Sequence, residues 1–223
     1  MNQIIITGDG SKTLYNETIG EHYHSKHGAL QESEHVFIDA GLKKAISEFP
    51  DQQIKILEVG FGTGLNFLLT LKHSTVHDVA IDYTGIEAFP ISKSELLSTE
   101  YHQYVPAQIW DALTSNYEKA LKQPVVILPG QTLAIAHTTL QEFSMEEQVD
   151  LIYFDAFSVR HQPELWSDGM IAHTCNFLRS GGLFVTYAIT GNLKRALVKA
   201  GLKIEKLPGA PGKREMLRAT KMV

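Results

Sequence analysis

Residues 56–69, Ile-Leu-Glu-Val-Gly-Phe-Gly-Thr-Gly-Leu-Asn-Phe-Leu-Leu, constrain the fold of this chain more than any other stretch. An apolar run reads as a buried strand, Gly60, Gly62 and Gly64 as a tight turn, and the second apolar run as the start of a helix. Without a Cβ, glycine takes positive φ cheaply and lets a neighbour approach the backbone. A turn of this kind at a helix start can also bring N–H groups towards an anionic ligand. The spacing G-x-G-x-G departs from the G-x-G-x-x-G of dinucleotide-binding turns. A strand, glycine turn and helix in succession read as a cradle for a nucleotide-type cofactor in an α/β sheet.

The remaining sequence keeps that rhythm. Ile54–Val59, Ala80–Glu87, Leu133–Ala136, Asp150–Asp155 and Leu183–Ala188 read as successive strands. Leu65–Leu71, Pro90–Tyr101, Pro106–Lys122 and Trp166–Leu178 read as intervening helices. Such alternation predicts a doubly wound, mostly parallel sheet with helices on both faces. The end breaks the pattern: a helix over Asn192–Ala200, stopped by Gly201, precedes strand-like runs Lys203–Leu207 and Glu215–Thr220 around Pro208-Gly209-Ala210-Pro211-Gly212. An antiparallel final hairpin is expected there. The polar residues 1–33, with the turn Thr7-Gly8-Asp9-Gly10-Ser11, predict an N-terminal cap, and Glu34–Phe49 shows helical spacing up to Pro50. The expected division is a cap and lead-in helix over 1–50 and one structural unit over 51–223.

At 223 residues and 43% hydrophobic content the chain can bury a large core. No apolar run reaches roughly 18 residues, no signal-peptide pattern opens the sequence, and the single cysteine, Cys175, excludes an internal disulfide framework. A cytoplasmic protein without membrane association is expected, with Cys175 a core residue. The net charge of −5 conceals an asymmetry. From Asn192 onward nine Lys or Arg face two acids, a balance of +7, whereas the preceding 191 residues carry 11 basic and 23 acidic groups, a balance of −12. A concentrated basic segment can neutralise phosphates and steer an anionic polymer.

In an open parallel sheet the ligand lies beyond the carboxyl ends of the strands. Glu58 ends the first strand and can bond an ammonium, directly or through water; Glu87, 23 residues after Gly64, can accept from two ribose hydroxyls. Asn66 can satisfy the cradle backbone or reach a carboxylate. At the third strand end Thr139 stands where an adenine-facing acid is more usual. Asp155 ends the fourth strand. If an amine is the acceptor, it must be neutral to attack and gains positive charge as it does, which a carboxylate stabilises. With an ordinary pKa of about 3.9, Asp155 is expected to orient and stabilise the amine before it abstracts a proton. Phe157 and Trp166 can stack on a flat base. His22, His24 and His27 do not read as a metal site, because strand alternation separates His27 from the other two and no ligand cluster matches their spacing.

Three segments together resemble one family: Leu57-Glu58-Val59-Gly60-Phe61-Gly62-Thr63-Gly64-Leu65-Asn66-Phe67-Leu68, Tyr153-Phe154-Asp155-Ala156-Phe157 through Pro163-Glu164-Leu165-Trp166, and Gly212-Lys213-Arg214-Glu215-Met216-Leu217. The first also resembles motif I of S-adenosylmethionine-dependent methyltransferases; all three resemble the methyltransferase domain of the MnmC family. The resemblance spans most of the chain. It implies a Rossmann-like class I methyltransferase fold and methylation, from S-adenosylmethionine, of the aminomethyl nitrogen of 5-aminomethyl-(2-thio)uridine at the tRNA wobble position. It places Glu58, Gly60, Gly62, Gly64, Asn66 and Glu87 at the cofactor, Asp155 and Phe157 at the reacting amine, and Lys213 and Arg214 beside the substrate or tRNA. Bifunctional relatives carry an FAD-dependent oxidase domain, and this sequence has no second dinucleotide fingerprint; methylation alone, without FAD or metal, is expected. Ala156, Ser158-Val159-Arg160 and Thr139 depart from the family pattern. Two other readings are a methyltransferase of a small-molecule or protein amine, and a non-catalytic module that binds S-adenosylmethionine or tRNA.

Overall fold

A computed structural model describes residues 2–50 and 52–222; the boundary placed at residue 51 falls outside them. The chain opens with a three-stranded antiparallel sheet of β1 (Asn2–Ile6), β2 (Lys12–Asn16) and β3 (Glu21–His22). The β1–β2 turn is the one expected from Thr7–Ser11, and Asp9 organises it. Its carboxylate accepts from the Ser11 amide at 3.0 Å and the Thr7 hydroxyl at 2.7 Å, and reaches the Gln31 amide at 2.9 Å.

Residues 29–48 follow as α1 (Ala29–Ser33), a π-helical stretch Glu34–Leu42, and α2 (Lys43–Glu48). Val36, Phe37, Ile38, Ala40 and Leu42 are buried. Gly41 permits the close approach to the sheet, since a Cβ there would lie 3.1 Å from both Tyr153 and Val185.

The central unit then runs β4 (Ile54–Val59), α3 (Leu65–Val76), β5 (Ile81–Ile86), α4 (Lys93–Ser98), α5 (Ala107–Ala120), β6 (Val125–Leu128), β7 (Gln131–Ala136), β8 (Val149–Phe154), α6 (Asp168–Asn176), β9 (Leu178–Thr186), α7 (Gly191–Lys199), β10 (Leu202–Pro208) and β11 (Glu215–Lys221). The eight strands order as β10-β11-β9-β8-β4-β5-β7-β6. Neighbours from β9 to β7 are parallel, whereas β11 runs antiparallel to β9 and β10. The expected α/β architecture is borne out, including the antiparallel final hairpin. Two apolar clusters fill the two faces, one around Phe37, Phe67, Tyr83 and Tyr153, the other around Leu57, Ile152, Phe154 and Phe184.

Two elements differ from the sequence reading. β6 is an extra antiparallel edge strand, formed by Val125-Val126-Ile127-Leu128 and turned back by Pro129-Gly130. β9 starts at Leu178, not after Gly182, because a register shift opposite Val149–Leu151 absorbs Arg179–Gly182. Neither alters the functional end of the sheet. The chain fills one side of β4 with β5 and β7, then crosses to place β8 on its other side. This reversal opens a crevice beyond the carboxyl ends of β4 and β8.

Candidate active site

The crevice holds a cavity of about 230 Å³. Gly60 and Gly62 of the turn after β4, Glu87 and Phe89 after β5, Thr139 after β7, and Asp155 and Phe157 after β8 form its walls, and Asn16, Ile19, Tyr23 and His24 of the N-terminal sheet close one side.

The turn has the conformation its glycines allow. Gly60, Gly62 and Gly64 adopt φ of +87°, +53° and +74°. A Cβ on Gly60 would lie 2.6 Å from the Asp155 carbonyl oxygen, and one on Gly62 3.0 Å from the Tyr23 ring. Four of the five amides of this turn are already engaged within the protein. Gly60 and Phe61 both donate to the Ile86 carbonyl at 3.0 Å, Gly64 donates to Phe61 at 2.9 Å, and Gly62 donates to the Glu87 carboxylate at 2.9 Å. The glycines therefore contribute shape, while the anion-binding capacity of these four N–H groups is spent. Glu87 also accepts from the Phe89 amide at 2.9 Å, which fixes one oxygen on each amide and leaves both with further lone pairs. Burial raises its pKa, and the two amide bonds oppose that rise.

Glu58 and Asn66 do not form part of the cavity wall. Both are buried, with exposures of 1% and 3%. Asn66 Nδ2 donates to Glu58 Oε1 and to Asp155 Oδ2, each at 2.8 Å, and the Tyr83 hydroxyl donates to Glu58 Oε2 at 2.8 Å. Burial and the nearby Asp155 charge raise the Glu58 pKa well above the usual range. Glu58 thus supports the site from beneath through Asn66. Asn66 Oδ1 is buried with no partner among the described residues, an open acceptor beside the cradle.

Asp155 keeps one oxygen on Asn66 while its carboxylate borders the cavity. Burial, reinforced by the charge of Glu32, raises its pKa to about 7; Asn66 and Lys213 act in the opposite sense. The expectation of a carboxylate too acidic to take a proton near neutrality does not hold for this environment, because desolvation disfavours the charged form.

The aromatic residues divide. Phe157 lines the cavity and packs edge-on against Tyr23, with ring centroids 5.1 Å apart. Trp166, expected at the base, is a buried brace: its indole N–H donates to the Phe157 carbonyl at 2.7 Å, and its ring packs on Phe154 and Tyr187. Thr139 lines the cavity, with its hydroxyl donating to Glu142 at 3.0 Å.

Lys213 and Arg214 point to different tasks. Lys213 pairs with the buried Glu32 of α1, and its ammonium sits 3.9 Å from the centroid of the Tyr187 ring. Arg214 is exposed and, with Arg160, lines an open groove of about 410 Å³ formed by Ser158–Arg160, Tyr187–Thr190 and Lys213–Glu215. Of the other cations in the +7 segment, Arg218 bonds Glu205 and the Ala40 carbonyl, and Lys221 bonds the Cys175 and Leu178 carbonyls. These two are structural.

Sequence reasoning missed the residues brought in from afar. Tyr23, Phe89 and Glu32 reach the site from the N-terminal sheet, the loop after β5 and α1; the segment from Tyr23 to Phe37 is similar to the family's lead-in, but nothing in it assigns Tyr23 or Glu32 to the site. No cluster of His, Cys, Asp or Glu able to hold a metal occurs among the described residues.

The glycine cradle that a Cβ would fill and the amide-anchored Glu87 on the cavity wall fit S-adenosylmethionine, which carries hydroxyl donors. Comparison with known proteins agrees. Over 220 residues the chain is 28% identical to the bifunctional tRNA 5-methylaminomethyl-2-thiouridine biosynthesis protein MnmC of Acidovorax, covering 93% of this chain and 34% of that protein. It is 31% identical over 223 residues to the protein of the same name from Magnetococcus marinus, covering 93% and 32%. The chain thus spans about a third of the length of these relatives. Its fold matches the crystal structure of MnmC2 from Aquifex aeolicus with a TM-score of 0.74 and 27% identity, over 98% of this chain and 70% of that one. The resemblance to the methyltransferase part of MnmC is therefore borne out. Residues 101–222 match the family described as S-adenosyl-L-methionine-dependent methyltransferase, and with this cradle and strand order the chain belongs to that family.

Proposed function

We propose that the chain transfers a methyl group from S-adenosylmethionine to the aminomethyl nitrogen of 5-aminomethyl-(2-thio)uridine at the tRNA wobble position. The observation that carries this reading is the Asp155 carboxylate, held by Asn66 at the end of β8 and opening on a cavity bordered by Phe157 and Tyr23. When bound, the cofactor supplies an electrophilic methyl group on a sulfonium. Gly60, Gly62 and Glu87 hold it at the carboxyl ends of β4 and β5. Phe157 orients the flat uracil ring, and Asp155 faces its aminomethyl substituent. With a pKa of about 7, Asp155 takes the proton that keeps this nitrogen from attacking and passes it to solvent, and the carboxylate so restored stabilises the positive charge that develops as the nitrogen attacks. Overall, a C–N bond forms, a C–S bond breaks, and one proton leaves the nitrogen. S-adenosylhomocysteine and a secondary ammonium result.

The relatives named for tRNA biosynthesis and the Arg160–Arg214 groove beside the cavity favour a polynucleotide acceptor over a small or protein amine. Asp155 has no evident role in a non-catalytic binding module. The decisive experiment is transfer from labelled S-adenosylmethionine to bulk tRNA lacking the terminal wobble methyl group, followed by nucleoside analysis. Formation of 5-methylaminomethyluridine or its 2-thio form supports the reading. Absence of transfer with intact S-adenosylhomocysteine binding overturns it in favour of another amine or a binding module.

A further inference from the structure

Two charged side chains outside the strand ends meet over Tyr187, whose hydroxyl reaches the residue after Asp155. Glu32, in α1, is buried at 7% exposure; one of its oxygens accepts from the Ser25 amide at 3.0 Å and the other pairs with Lys213. Lys213, in the turn between β10 and β11, lies over the Tyr187 ring, while the Tyr187 hydroxyl donates to the carbonyl of Ala156, the residue after Asp155. Glu32, Lys213 and Asp155 therefore come from three separate parts of the chain and share one small region.

This placement creates a competition. An acceptor ammonium or amine must reach the Asp155 carboxylate, and the Lys213 ammonium, whose charge already acts on Asp155 from its place over Tyr187, is a rival for that position. The side-chain hydrogen bond that Asp155 makes comes from Asn66, and the hydrogen bond of Lys213 goes to Glu32. The aromatic face of Tyr187 adds a second attraction for the lysine charge.

Resting on the proposed amine acceptor, we infer that Glu32 is a positioning residue: by retaining Lys213 against Tyr187, it keeps the Asp155 carboxylate free for the acceptor nitrogen. Loss of the Glu32 charge releases Lys213 to Asp155. The resulting internal ion pair blocks the acceptor and holds Asp155 ionised, as a weaker base. The charged or titratable groups that interact with Asp155 are Glu32 from α1, Lys213 from the terminal turn, Tyr187 after β9, Tyr83 from β5, and Glu58 from β4 through Asn66. Of these, only Lys213 brings a positive charge.

The test compares wild type with Glu32→Gln, Lys213→Met and the double variant, using hypomodified tRNA. Glu32→Gln is expected to lower kcat/KM roughly tenfold, mainly through a higher acceptor KM, with S-adenosylhomocysteine affinity unchanged. In the double variant most of that loss is recovered, because the rival cation is gone. Carboxyl NMR titration of Asp155 in cofactor-free protein supplies a second readout: Lys213→Met raises the midpoint, and raises it by more in the Glu32→Gln background, where Lys213 has moved to Asp155, than in wild type. A double variant no better than Glu32→Gln, or a Lys213→Met rise no larger in the Glu32→Gln background than in wild type, overturns the inference and leaves Glu32 a brace for α1. Should wild type itself fail to methylate the tRNA, the proposed acceptor is wrong, while the NMR comparison still decides whether Glu32 keeps Lys213 away from Asp155.

Discussion

Asn66 donates to Asp155 at 2.8 Å, so a side chain in the first turn of α3 sets the direction of the carboxylate at the end of β8. The same nitrogen holds Glu58 at 2.8 Å. One carboxamide thereby joins the first strand, the first helix after the glycine turn, and the candidate catalytic group. Asn66→Ala would remove one donor from each of two carboxylates, leaving Glu58 with Tyr83 alone, at a cost of roughly 1–3 kcal/mol in folding stability. Urea denaturation is expected to show that loss, together with a larger loss of turnover than of S-adenosylhomocysteine affinity.

Asp155→Asn keeps the side-chain shape and removes the charge. Turnover is expected to fall about a hundredfold or more, with S-adenosylhomocysteine binding changed less than threefold in calorimetry. Equal loss of both would make Asp155 a cofactor ligand.

The raised Asp155 pKa also predicts a pH dependence. The ionised form is the active one, so kcat/KM is expected to fall as pH drops below about 7. The stability effect has the opposite sense. A carboxyl whose folded pKa exceeds its ordinary 3.8 favours folding when protonated, and that contribution is lost as pH rises from about 4 through 7. Asp155→Asn should therefore raise Tm relative to wild type at pH 8 and change it less at pH 4. Melting curves at the two pH values provide the check.

Gly60 combines a positive φ of +87° with a Cβ position 2.6 Å from the Asp155 carbonyl. Gly60→Ala must displace either the cradle or the β8 end. Loss of S-adenosylhomocysteine affinity by tenfold or more is expected in calorimetry. Gly10→Ala is a suitable control for positive-φ strain alone, because its φ is +83° and nothing lies within 4 Å of its Cβ position.

Arg160 and Arg214 line the open groove beside the cavity. Arg160→Ala with Arg214→Ala is expected to weaken tRNA binding and to flatten its dependence on salt by about one to two units of log–log slope. Filter binding across a salt series measures this. Lys213 belongs with Glu32 and Tyr187, so its removal should affect the Asp155 titration more than the salt slope.

Much of this arrangement was readable from the residues in order. The glycine spacing after Ile54–Val59, the acids at the strand ends and the Pro-Gly turn before Glu215 marked the α/β sheet, the cavity and the final hairpin, because strand period and turn chemistry are local properties. β6 shows the limit: Val125–Leu128 carries a strand-like run, but its antiparallel place beside β7 depends on the Pro129-Gly130 reversal and on the free sheet edge.

What the sequence by itself determined was the scaffold and the class of residue at each strand end. The tertiary structure alone decided their tasks. It put Glu58 beneath the site and not on its wall, made Trp166 a brace, separated Lys213 from Arg214, and delivered Tyr23 and Glu32 from the N-terminal region. It also moved Asp155 from an ordinary acid to one that titrates near neutrality. The physical reason is common to all of these. Burial, electrostatic neighbours and hydrogen-bond partners arise from segments far apart in sequence, and no local spacing encodes how the sheet brings them together.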